Sequence, residues 1–548
     1  MPLQKNQVLT LQVERLSSDG SGVAHSPEGE TVFIPGAAPG DEARVRIVKD
    51  CKRYAFGILD EVLTPSPDRI PVDCVVAGPC GGCSLRHLDY AAELRAKQEN
   101  VADAFARIGG LDVPVLPIVG SPEIDRYRNK VQFPVGTDKA GRPCIGFYAG
   151  RTHRIVPCPD CRLQPGVLNE IGNTLCAFFA EKGIHPYNEE TGKGLVRHIF
   201  LRRGAHSGQI MVCLVSTRAK IPSADELCTR LKEAFPDIVT ILLNVNAKNT
   251  NVILGSETHT LYGQGYIEDT LCGVPVQLGP LSFYQVNTLA AEQLYGIAAE
   301  YAQLTPDDLL LDLYCGMGTI GLSMADHCRE LVGVEIVPEA IESAKANAAR
   351  MGAAISAKSR FFCADAGQAA AQLAAEGLHP DVVMLDPPRK GCDEATLSAV
   401  VRMAPRRVVY VSCNPATAAR DAAWLEQNGY HAEKVQPVDL FPRTKHVETV
   451  CLLSKLQAKQ HIEIDLNMDE LDLTDAEKKA TYQEIKDYVL EHSGKKASSL
   501  YIAQVKQKCG IIERENYNKP KSEDAKQPQC PPDKEKAIKE ALQHFGMI

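Results

Sequence analysis

Short runs of alternating apolar and polar residues, separated by Gly and Pro, occupy the start of the chain. The runs are VLTLQVERL, SGVAH, TVFIPG, EARVRIVKD and YAFGILDEVL. Alternation of this kind is typical of half-buried strands, and Gly and Pro between the runs mark turns. The pattern therefore predicts a small β-barrel of the OB type over residues 1–63.

The next part of the chain, residues 64–265, mixes the two periodicities. It opens with a Pro-rich linker, TPSPDRIP, followed by a cysteine cluster and a helical stretch from Tyr90 to Ile108. The apolar runs GLVRHIFLRRG, QIMVCLVST and VTILLNVNA indicate strands among further helices. We expect an α+β middle domain that carries the cysteine cluster.

Strands and helices alternate regularly in residues 266–456. The apolar runs are LLLDLYCGMG, LVGVEIV, RFFCAD, DVVMLDPP and VVYVSCNP, with a last strand near VETVCLLS. Such alternation predicts a doubly wound, mainly parallel sheet of the Rossmann-like type. Ligands of these sheets bind at the carboxyl ends of the strands, where several motifs of this chain fall.

Residues 457–548 turn polar and predict a helical C-terminal extension. Two helical runs, ATYQEIKDYVLEH and SSLYIAQVKQKCG, are separated by a turn that contains Gly, and a short final helix follows. The second run fits the recognition helix of a helix-turn-helix motif. A small helical appendage is the more common outcome of such a pair, and it is the interpretation favoured here.

Length and composition agree with a multidomain α/β protein. The chain has 548 residues, of which 44% are hydrophobic and 24% are charged. The N-terminal residues lack the apolar core of a signal peptide, and no apolar run is long enough to span a bilayer. We therefore expect a cytoplasmic protein without a membrane partner, whose 19 cysteines are reduced thiols or metal ligands.

The net charge of −9 hides two local clusters of basic residues. The larger cluster is opposed only by Asp138 and consists of Arg126, Arg128, Lys130, Lys139, Arg142, Arg151 and Arg154. The smaller is opposed by Asp50 and consists of Arg44, Arg46, Lys49, Lys52 and Arg53. Such stripes can follow the phosphates of a nucleic acid, and they are equally typical of a solvated face without a partner.

A glycine-rich turn marks a candidate cofactor site. Gly316, Gly318 and Gly321 match G-x-G-x-x-G between an apolar strand and a helix. Glu335 ends the following strand, where a carboxylate can accept both ribose hydroxyls, and Asp365 is placed to meet an adenine. This arrangement suits either a nicotinamide dinucleotide or S-adenosylmethionine.

Motifs at the carboxyl ends of the later strands restrict the reactions that this site could catalyse. Asp386 opens DPPRKG, where Arg389 stands in place of the aromatic residue of amino-methylating enzymes. Cys413 lies in SCNP, where a following helix N-terminus can lower its pKa. A thiolate that adds to carbon 6 of uracil makes carbon 5 nucleophilic, and Glu448, with His446 close in sequence, is a candidate base for the proton that must then leave.

Five motifs occur in one order: SFYQVN (282–287), DLYCGMGTIG, LDPPRKG, SCNP and HVET. Together they resemble the RNA uracil-5 methyltransferase family, and residues 1 to about 456 resemble its ribosomal-RNA branch with a TRAM barrel and an iron–sulfur cluster. The resemblance implies Cys413 as the nucleophile and Glu448 as the base. It implies that four residues contact S-adenosylmethionine: Gln285, Tyr314, Glu335 and Asp386. Ile320 departs from the family, since many members have an aromatic residue there.

The spacing Cys74-x5-Cys80-x2-Cys83, with Cys161 far downstream, provides four thiols. Four thiolates hold either zinc or an iron–sulfur cluster, and spacing alone does not choose between them. The resemblance implies a [4Fe-4S] cluster on these four residues, with Cys158 as a competitor for the fourth position. Because the expected reaction transfers no electron, the cluster would shape the RNA-binding domain.

Several alternatives remain open at this point. A nicotinamide oxidoreductase would use the glycine-rich turn and leave SCNP and DPPRKG without a role. A non-enzymatic RNA-binding protein would not need Cys413, and cytosine-5 methyltransferases generally place Pro-Cys where this chain has DPPR. The expected partner is RNA, with 23S ribosomal RNA preferred over transfer RNA, and no obligate protein partner is inferred.

Overall fold

The computed structural model describes residues 3–150, 152–248, 251–456, 482–509, 530–545 and 547. The chain divides into two units, Met1–Gln457 and Ala458–Ile548. None of the helices within these described ranges is both long enough and apolar enough to cross a membrane. All 19 cysteines are free thiols.

The first five strands close into a barrel with the order β1-β2-β3-β5-β4. They are β1 (Val8–Leu16), β2 (Ser21–His25), β3 (Thr31–Pro35), β4 (Glu42–Asp50) and β5 (Tyr54–Thr64). Alternate side chains point inward, and Val13, Val32 and Ile34 are among those that fill the interior. The predicted barrel is confirmed, and each alternating run forms one strand.

A helix connects the barrel to the sheets that follow. Helix α1 (Tyr90–Asp103) is capped by the Asp89 side chain and continues as a π-helical turn, Ala104–Gly109. Val101 and Phe105 are buried in the same core as the strands of the C-terminal sheet, although the helix falls within residues 64–265. The chain then runs along that sheet, where Val115 and Val119 each form a parallel bridge with its edge strand.

A seven-stranded sheet of order β12-β11-β10-β9-β6-β7-β8 forms the middle of the protein. Its strands are β6 (Lys130–Thr137), β7 (Pro143–Tyr148), β8 (Ile155–Pro157), β9 (Val196–Arg203), β10 (Ile210–Ser216), β11 (Ile238–Val245) and β12 (Glu257–Tyr262). The helices α2 (Gly166–Glu181) and α3 (Ala224–Ala234) share a core with one face. The other face packs against the hairpin of β13 (Ile267–Leu271) and β14 (Val274–Leu278).

The second sheet has the order β17-β16-β15-β18-β19-β21-β20. Its strands are β15 (Leu309–Leu313), β16 (Glu330–Glu335), β17 (Ser359–Cys363), β18 (Val382–Leu385), β19 (Arg407–Ser412), β20 (Tyr430–Val438) and β21 (Glu448–Lys455). The first five are parallel, and β21 is antiparallel to both of its neighbours. The predicted Rossmann-like sheet is confirmed, with β20 as an additional strand that the sequence pattern did not predict.

The helices of this region alternate with the strands. They are α4 (Thr288–Ala302), α5 (Thr319–Ser323), α6 (Pro338–Arg350), α7 (Ala353–Lys358), α8 (Ala366–Ala375), α9 (Glu394–Met403) and α10 (Pro415–Gln427), with a 3-10 turn at Ala325–His327. Helix α4 packs in the same core as the β13–β14 hairpin and the middle sheet. That shared core holds the two sheets of this unit together.

The second unit contains three described helices: α11 (Tyr482–Ser493), α12 (Ser499–Lys508) and α13 (Pro532–His544). Their apolar faces form a core of their own that includes Ile485, Ile502 and Ile538. Ser498 caps α12, which corresponds to the run SSLYIAQVKQKCG. Both interpretations of this run, recognition helix and helical appendage, stay predictions.

Candidate active site

A cavity of about 1490 Å³ lies between the middle sheet and the carboxyl ends of the Rossmann-like strands. Eight of the predicted site residues line it: Gln285, Tyr314, Gly316, Glu335, Asp365, Asp386, Cys413 and Glu448. Gly318 is not part of the lining. It adopts φ +79° at the start of α5, where a Cβ atom would come within 3.2 Å of the Ala344 side chain. Its role is therefore in the turn.

The glycine-rich turn holds the Glu335 carboxylate at the end of β16. Gly316, at φ +55°, donates its backbone N–H to Glu335 Oε2 over 3.2 Å. The backbone N–H of Val337 donates to Oε1 over 3.0 Å. Since both oxygens are anchored by the backbone, the carboxylate has a fixed orientation at the cavity wall.

Two further carboxyl groups lie close to this wall. Burial raises the pKa of Asp386 to about 7. Asp312, at the end of β15, is 1% exposed and accepts a hydrogen bond from the Gly321 N–H over 3.0 Å. Burial, with Asp386 and Glu335 nearby, raises the pKa of Asp312 to about 8. Sequence reasoning did not single out Asp312, although its position before the glycine-rich turn was a usable signal.

Asp365 and Gln285 line the cavity and also have contacts within the protein. Asp365 accepts hydrogen bonds from the N–H groups of Gly367 and Gln368, so its side chain caps α8. The backbone carbonyl of Gln285 accepts from Asn129 Nδ2 over 2.8 Å. These contacts fix the positions of two residues that the sequence placed at the cofactor, and their binding role stays a prediction.

Cys413 is half-buried in the turn between β19 and α10. Its pKa is raised, first by burial and then by the Glu448 carboxylate, while a hydrogen bond with the Arg389 side chain lowers it. The sequence argument expected the helix N-terminus to lower this pKa. The direction differs because the thiol is half-buried and interacts with two carboxyl groups, Glu448 and Asp386.

Glu448 begins β21 and is only 4% exposed. Burial, followed by the nearby Asp386, raises its pKa well above the ordinary value. The His446 ring, two residues earlier, packs edge-on against Phe441 with ring centroids 6.0 Å apart. Burial and the surrounding cations, Arg389 first among them, lower the pKa of His446.

Asn414 joins the two loops that carry Arg389 and Cys413. Its side-chain Oδ1 accepts from the Ala416 N–H over 3.2 Å, which caps α10. Its Nδ2 donates to the Arg389 carbonyl over 3.0 Å. A single amide therefore positions the DPPRKG loop beside the SCNP loop.

Comparison with known proteins identifies the group to which this site belongs. Residues 277–456 match the family described as tRNA (Uracil-5-)-methyltransferase, and residues 2–59 match the TRAM domain. A relative from Halalkalibacterium halodurans, described as an uncharacterized RNA methyltransferase, is 43% identical over 453 residues, which are 82% of this chain and 98% of the relative. The chain belongs to the RNA uracil-5 methyltransferase family.

Other members support the same assignment. An uncharacterized RNA methyltransferase from Bacillus cereus is 42% identical over 457 residues, covering 83% of this chain and 98% of its own. The solved structure of Pyrococcus abyssi tRNA (uracil-54, C5)-methyltransferase in complex with S-adenosyl-L-homocysteine is 27% identical, with a TM-score of 0.65, and covers 82% of this chain and 100% of that chain. This chain is therefore an S-adenosylmethionine-dependent RNA methyltransferase, and a nicotinamide as its cofactor is disfavoured.

Two basic residues at or just before the start of β6 line the cavity of this methyltransferase, and the sequence indicated them only as part of a stripe. The two are Arg128 and Lys130. Phe283, in the SFYQVN loop, also lines the cavity with 71% of its surface exposed. Arg128 and Lys130 had no motif of their own, and the sequence analysis did not single out Phe283 within its motif.

The cysteine cluster lies apart from this cavity. The thiols of Cys80 and Cys83 interact electrostatically with that of Cys161, and Cys74 interacts with Cys80. A hydrogen bond with Cys158 lowers the pKa of Cys161 to about 7. Within the part of the chain that the structure describes, however, no three His, Cys, Asp or Glu side chains are arranged to hold a metal ion. The iron–sulfur expectation therefore stays a prediction.

Proposed function

We propose that this enzyme methylates carbon 5 of a uridine in RNA through a covalent bond between Cys413 and carbon 6 of the base. The observation that carries the proposal is that Cys413 and Glu448 line the same cavity as the glycine-rich turn. Cys413 and Glu448 also interact electrostatically across that cavity. A nucleophile, a base and a cofactor wall are the three parts that this chemistry requires.

In the first step the Cys413 thiolate bonds to carbon 6, and the C5–C6 double-bond electrons move toward the carbonyl at carbon 4. Carbon 5 thereby becomes nucleophilic. Carbon 5 then bonds to the methyl group of S-adenosylmethionine, while the S–CH3 bond of the donor breaks and S-adenosylhomocysteine leaves. The Arg389 side chain is hydrogen-bonded to the thiol and lowers its pKa, so it favours the reactive thiolate.

The second task is removal of the proton on carbon 5. We assign it to the Glu448 carboxylate, which takes the proton while the electron pair re-forms the C5–C6 double bond. The C6–sulfur bond then breaks and returns the thiolate of Cys413. The raised pKa of Glu448 suits a base, because a carboxylate of higher pKa binds the abstracted proton more strongly.

The carboxyl groups that line the cavity complement the positive charge of the methyl donor. S-adenosylmethionine carries two positively charged groups, a sulfonium and an ammonium. The carboxyl groups of Glu335 and Asp386 line the cavity in which we propose that it binds. We propose that the Glu335 carboxylate, anchored by two backbone N–H groups, accepts the ribose hydroxyls. Gln285, Tyr314 and Asp365 complete the proposed set, and Gly316 leaves the space at the turn open.

For the target we propose 23S ribosomal RNA, on the resemblance of residues 1 to about 456 to the ribosomal branch. Transfer RNA is the second candidate. It is favoured by the matched family, whose description names transfer RNA, and by the similar Pyrococcus abyssi structure, whose title names a tRNA uracil. The chemistry proposed at Cys413 is the same for either RNA.

A [4Fe-4S] cluster on Cys74, Cys80, Cys83 and Cys161 is a separate proposal. It is supported by the mutual proximity of the thiols and by Arg86, which hydrogen-bonds to Cys83. The spacing of the thiols as they stand does not fit a bound metal ion, so no step of the reaction is assigned to the cluster. Iron and sulfide analysis of anaerobically purified protein tests it, with Cys74→Ser as the variant expected to lose iron and Cys363→Ser, exposed and outside the cluster, as its control.

The reaction itself is tested with RNA that contains 5-fluorouridine. Fluorine cannot leave as a proton does, so the enzyme should stall as a covalent protein–RNA adduct when S-adenosylmethionine is present. Cys413→Ala should give no adduct, whereas Cys363→Ala, which removes an exposed thiol outside the cavity, should give as much as the wild type. Ribosomal and transfer RNA are tried separately. An adduct with neither RNA would refute the proposed chemistry, and an adduct with transfer RNA alone would change the target.

A further inference from the structure

Two strands of the middle sheet place two cations side by side at the edge of the cavity. Lys130 on β6 lies directly opposite Arg202 on β9 in an antiparallel pairing. Residues directly opposite each other point to the same face of the sheet, so their side chains are neighbours. Arg128 lies two residues before Lys130, and both line the cavity. The three residues, Arg128, Lys130 and Arg202, are called the basic wall below.

The basic wall has no carboxylate partner in the described part of the chain, although Arg128 interacts electrostatically with the Cys161 thiol. Among the described residues, none of its three members takes part in an ion pair. Arg202 is 1% exposed and donates to two uncharged carbonyls, that of Gly279 over 2.8 Å and that of Ser282 over 2.7 Å. The Nε atoms of Arg128 and Arg202 are buried without an acceptor in the described structure.

Burial without a partner is costly for a cation. Burial, followed by the charges of Arg202 and Arg128, lowers the pKa of Lys130 to about 8. Burial likewise lowers the pKa of Arg202 to about 10. Like charges directly opposite on neighbouring strands destabilise a sheet, so the arrangement is unfavourable until an anion arrives.

Two other arginines of the basic stripe have carboxylate partners. Arg126 pairs with Asp160 over 2.7 Å, and Arg142 pairs with Asp138 over 3.0 Å. Lys139 is exposed at the turn between β6 and β7 and does not line the cavity. Among the described residues of the stripe, the half-buried cations without an ion pair are Arg128 and Lys130, which line the cavity.

We propose that the basic wall is a subsite for one backbone phosphate of the RNA substrate, beside the nucleotide whose base is methylated. The inference rests on the proposed function. The carboxyl groups of Glu335, Asp386 and Glu448 occupy other parts of the same cavity and repel an RNA backbone. The backbone must therefore pass along the middle sheet while the base reaches Cys413. Arg202 also holds the Gly279–Ser282 turn, which links the phosphate subsite to the SFYQVN loop.

The test compares Lys130→Met with Lys139→Met, which removes one positive charge from the same stretch but outside the cavity. The probe is a single-stranded oligoribonucleotide with 5-fluorouridine at its centre. Binding is measured without S-adenosylmethionine between about 50 and 200 mM salt. Lys130→Met should bind roughly tenfold more weakly, because it loses a charge-assisted phosphate contact. The slope of log affinity against log salt should fall by about 0.7, the value for one phosphate of a single strand.

A second arm removes the charge from the RNA instead. A methylphosphonate replaces, one at a time, each phosphate next to the 5-fluorouridine. At one of these positions the replacement should weaken binding by the wild type but leave binding by Lys130→Met unchanged. Lys130→Arg keeps the charge and should retain wild-type affinity. Thermal unfolding of each variant verifies that the sheet is intact.

Three results would overturn the subsite. The first is that Lys130→Met and Lys139→Met bind the probe with equal affinity and with equal dependence of affinity on salt. The second is that no methylphosphonate position changes the binding of wild type and of Lys130→Met differently. The third is that Lys130→Met weakens S-adenosylmethionine binding in the absence of RNA. The basic wall would then bind the carboxylate of the methyl donor and not a phosphate of RNA. A wild type that binds the probe but forms no adduct would instead refute the chemistry at Cys413, so the two failures are distinguishable.

Discussion

Lys97 Nζ and Asp439 Oδ1 lie 2.8 Å apart in the interior, although the two residues are 342 positions apart in the chain. The ammonium group also donates to Glu93 Oε1 over 2.7 Å, and all three side chains are at most 1% exposed. Asp439 directly follows β20 and precedes the loop that carries Phe441 and His446. The ion pair thus fastens α1 to the segment that leads into Glu448.

Lys97→Met is expected to lower the free energy of unfolding by about 3–5 kcal/mol, because it leaves Asp439 buried without a cation and leaves Glu93 with only the longer ion pair to Arg443, over 3.7 Å. Urea denaturation measures this loss. The control is Arg95→Met on the same helix, whose exposed pair with Asp68 contributes no more than about 1 kcal/mol. Adding Glu93→Gln and Asp439→Asn to Lys97→Met should recover most of the stability, and failure to recover it would contradict the electrostatic explanation.

Glu448→Gln is expected to accumulate a covalent adduct with ordinary uridine RNA and S-adenosylmethionine. The thiol can still add, since loss of the carboxylate removes a negative charge that raises the pKa of Cys413. Turnover should fall by about 100-fold or more, because the proton on carbon 5 has no base. Denaturing gel electrophoresis detects the adduct. Normal turnover by this variant would assign the proton transfer to another group.

The pH dependence of kcat/KM should be bell-shaped. Glu448 and Cys413 both react in their deprotonated forms and both have raised pKa values, so activity increases as pH rises. Lys130, with a pKa lowered to about 8, binds RNA in its protonated form, so activity decreases above that pH. Lys130→Met should have lower activity but no alkaline decline near pH 8. An unchanged alkaline limb in this variant would show that another group is responsible.

Substitutions of Asn414 separate its two hydrogen bonds. Asn414→Asp keeps an oxygen to cap α10 but cannot donate to the Arg389 carbonyl, so stability should stay near wild type while kcat falls roughly tenfold to 100-fold. Asn414→Ala loses both contacts and should also lower the unfolding free energy by about 1 kcal/mol. Steady-state kinetics and urea denaturation provide the two measurements. Equal kcat values for Asn414→Asp and wild type would exclude a positioning role for the amide.

Local periodicity was sufficient for much of the fold. The barrel strands β1 to β5 each follow an alternating run, and the parallel strands β15 to β19 each follow an apolar run that ends in a recognisable motif. Strand β20 was missed because YHAEKVQPV alternates weakly and contains Pro, which strands disfavour. Its neighbours on both sides, β21 and the segment with Val115 and Val119, provide the pairing that its own sequence does not reveal.

The candidate site divides in the same way. Glu335, Asp386 and Cys413 could be placed from sequence because each ends a strand of one parallel sheet, and all strand ends meet at one edge. Lys130 and Arg202 could not, because their proximity depends on the register between two strands that are distant in sequence. The pKa of Cys413 was also out of reach, since it depends on which carboxyl groups surround the thiol after folding.

The placement of α1 against the last strands has a consequence for synthesis on the ribosome. Val115 is translated 320 residues before its bridge partner Val435, and Lys97 is translated 342 residues before Asp439. At about 5 to 20 residues per second this interval is roughly 20 to 70 s. During that time the nascent chain must keep the apolar side of α1 and the 115–119 segment from pairing with other chains, so this enzyme should depend on ribosome-associated chaperones more than a protein whose sheets form from neighbouring segments.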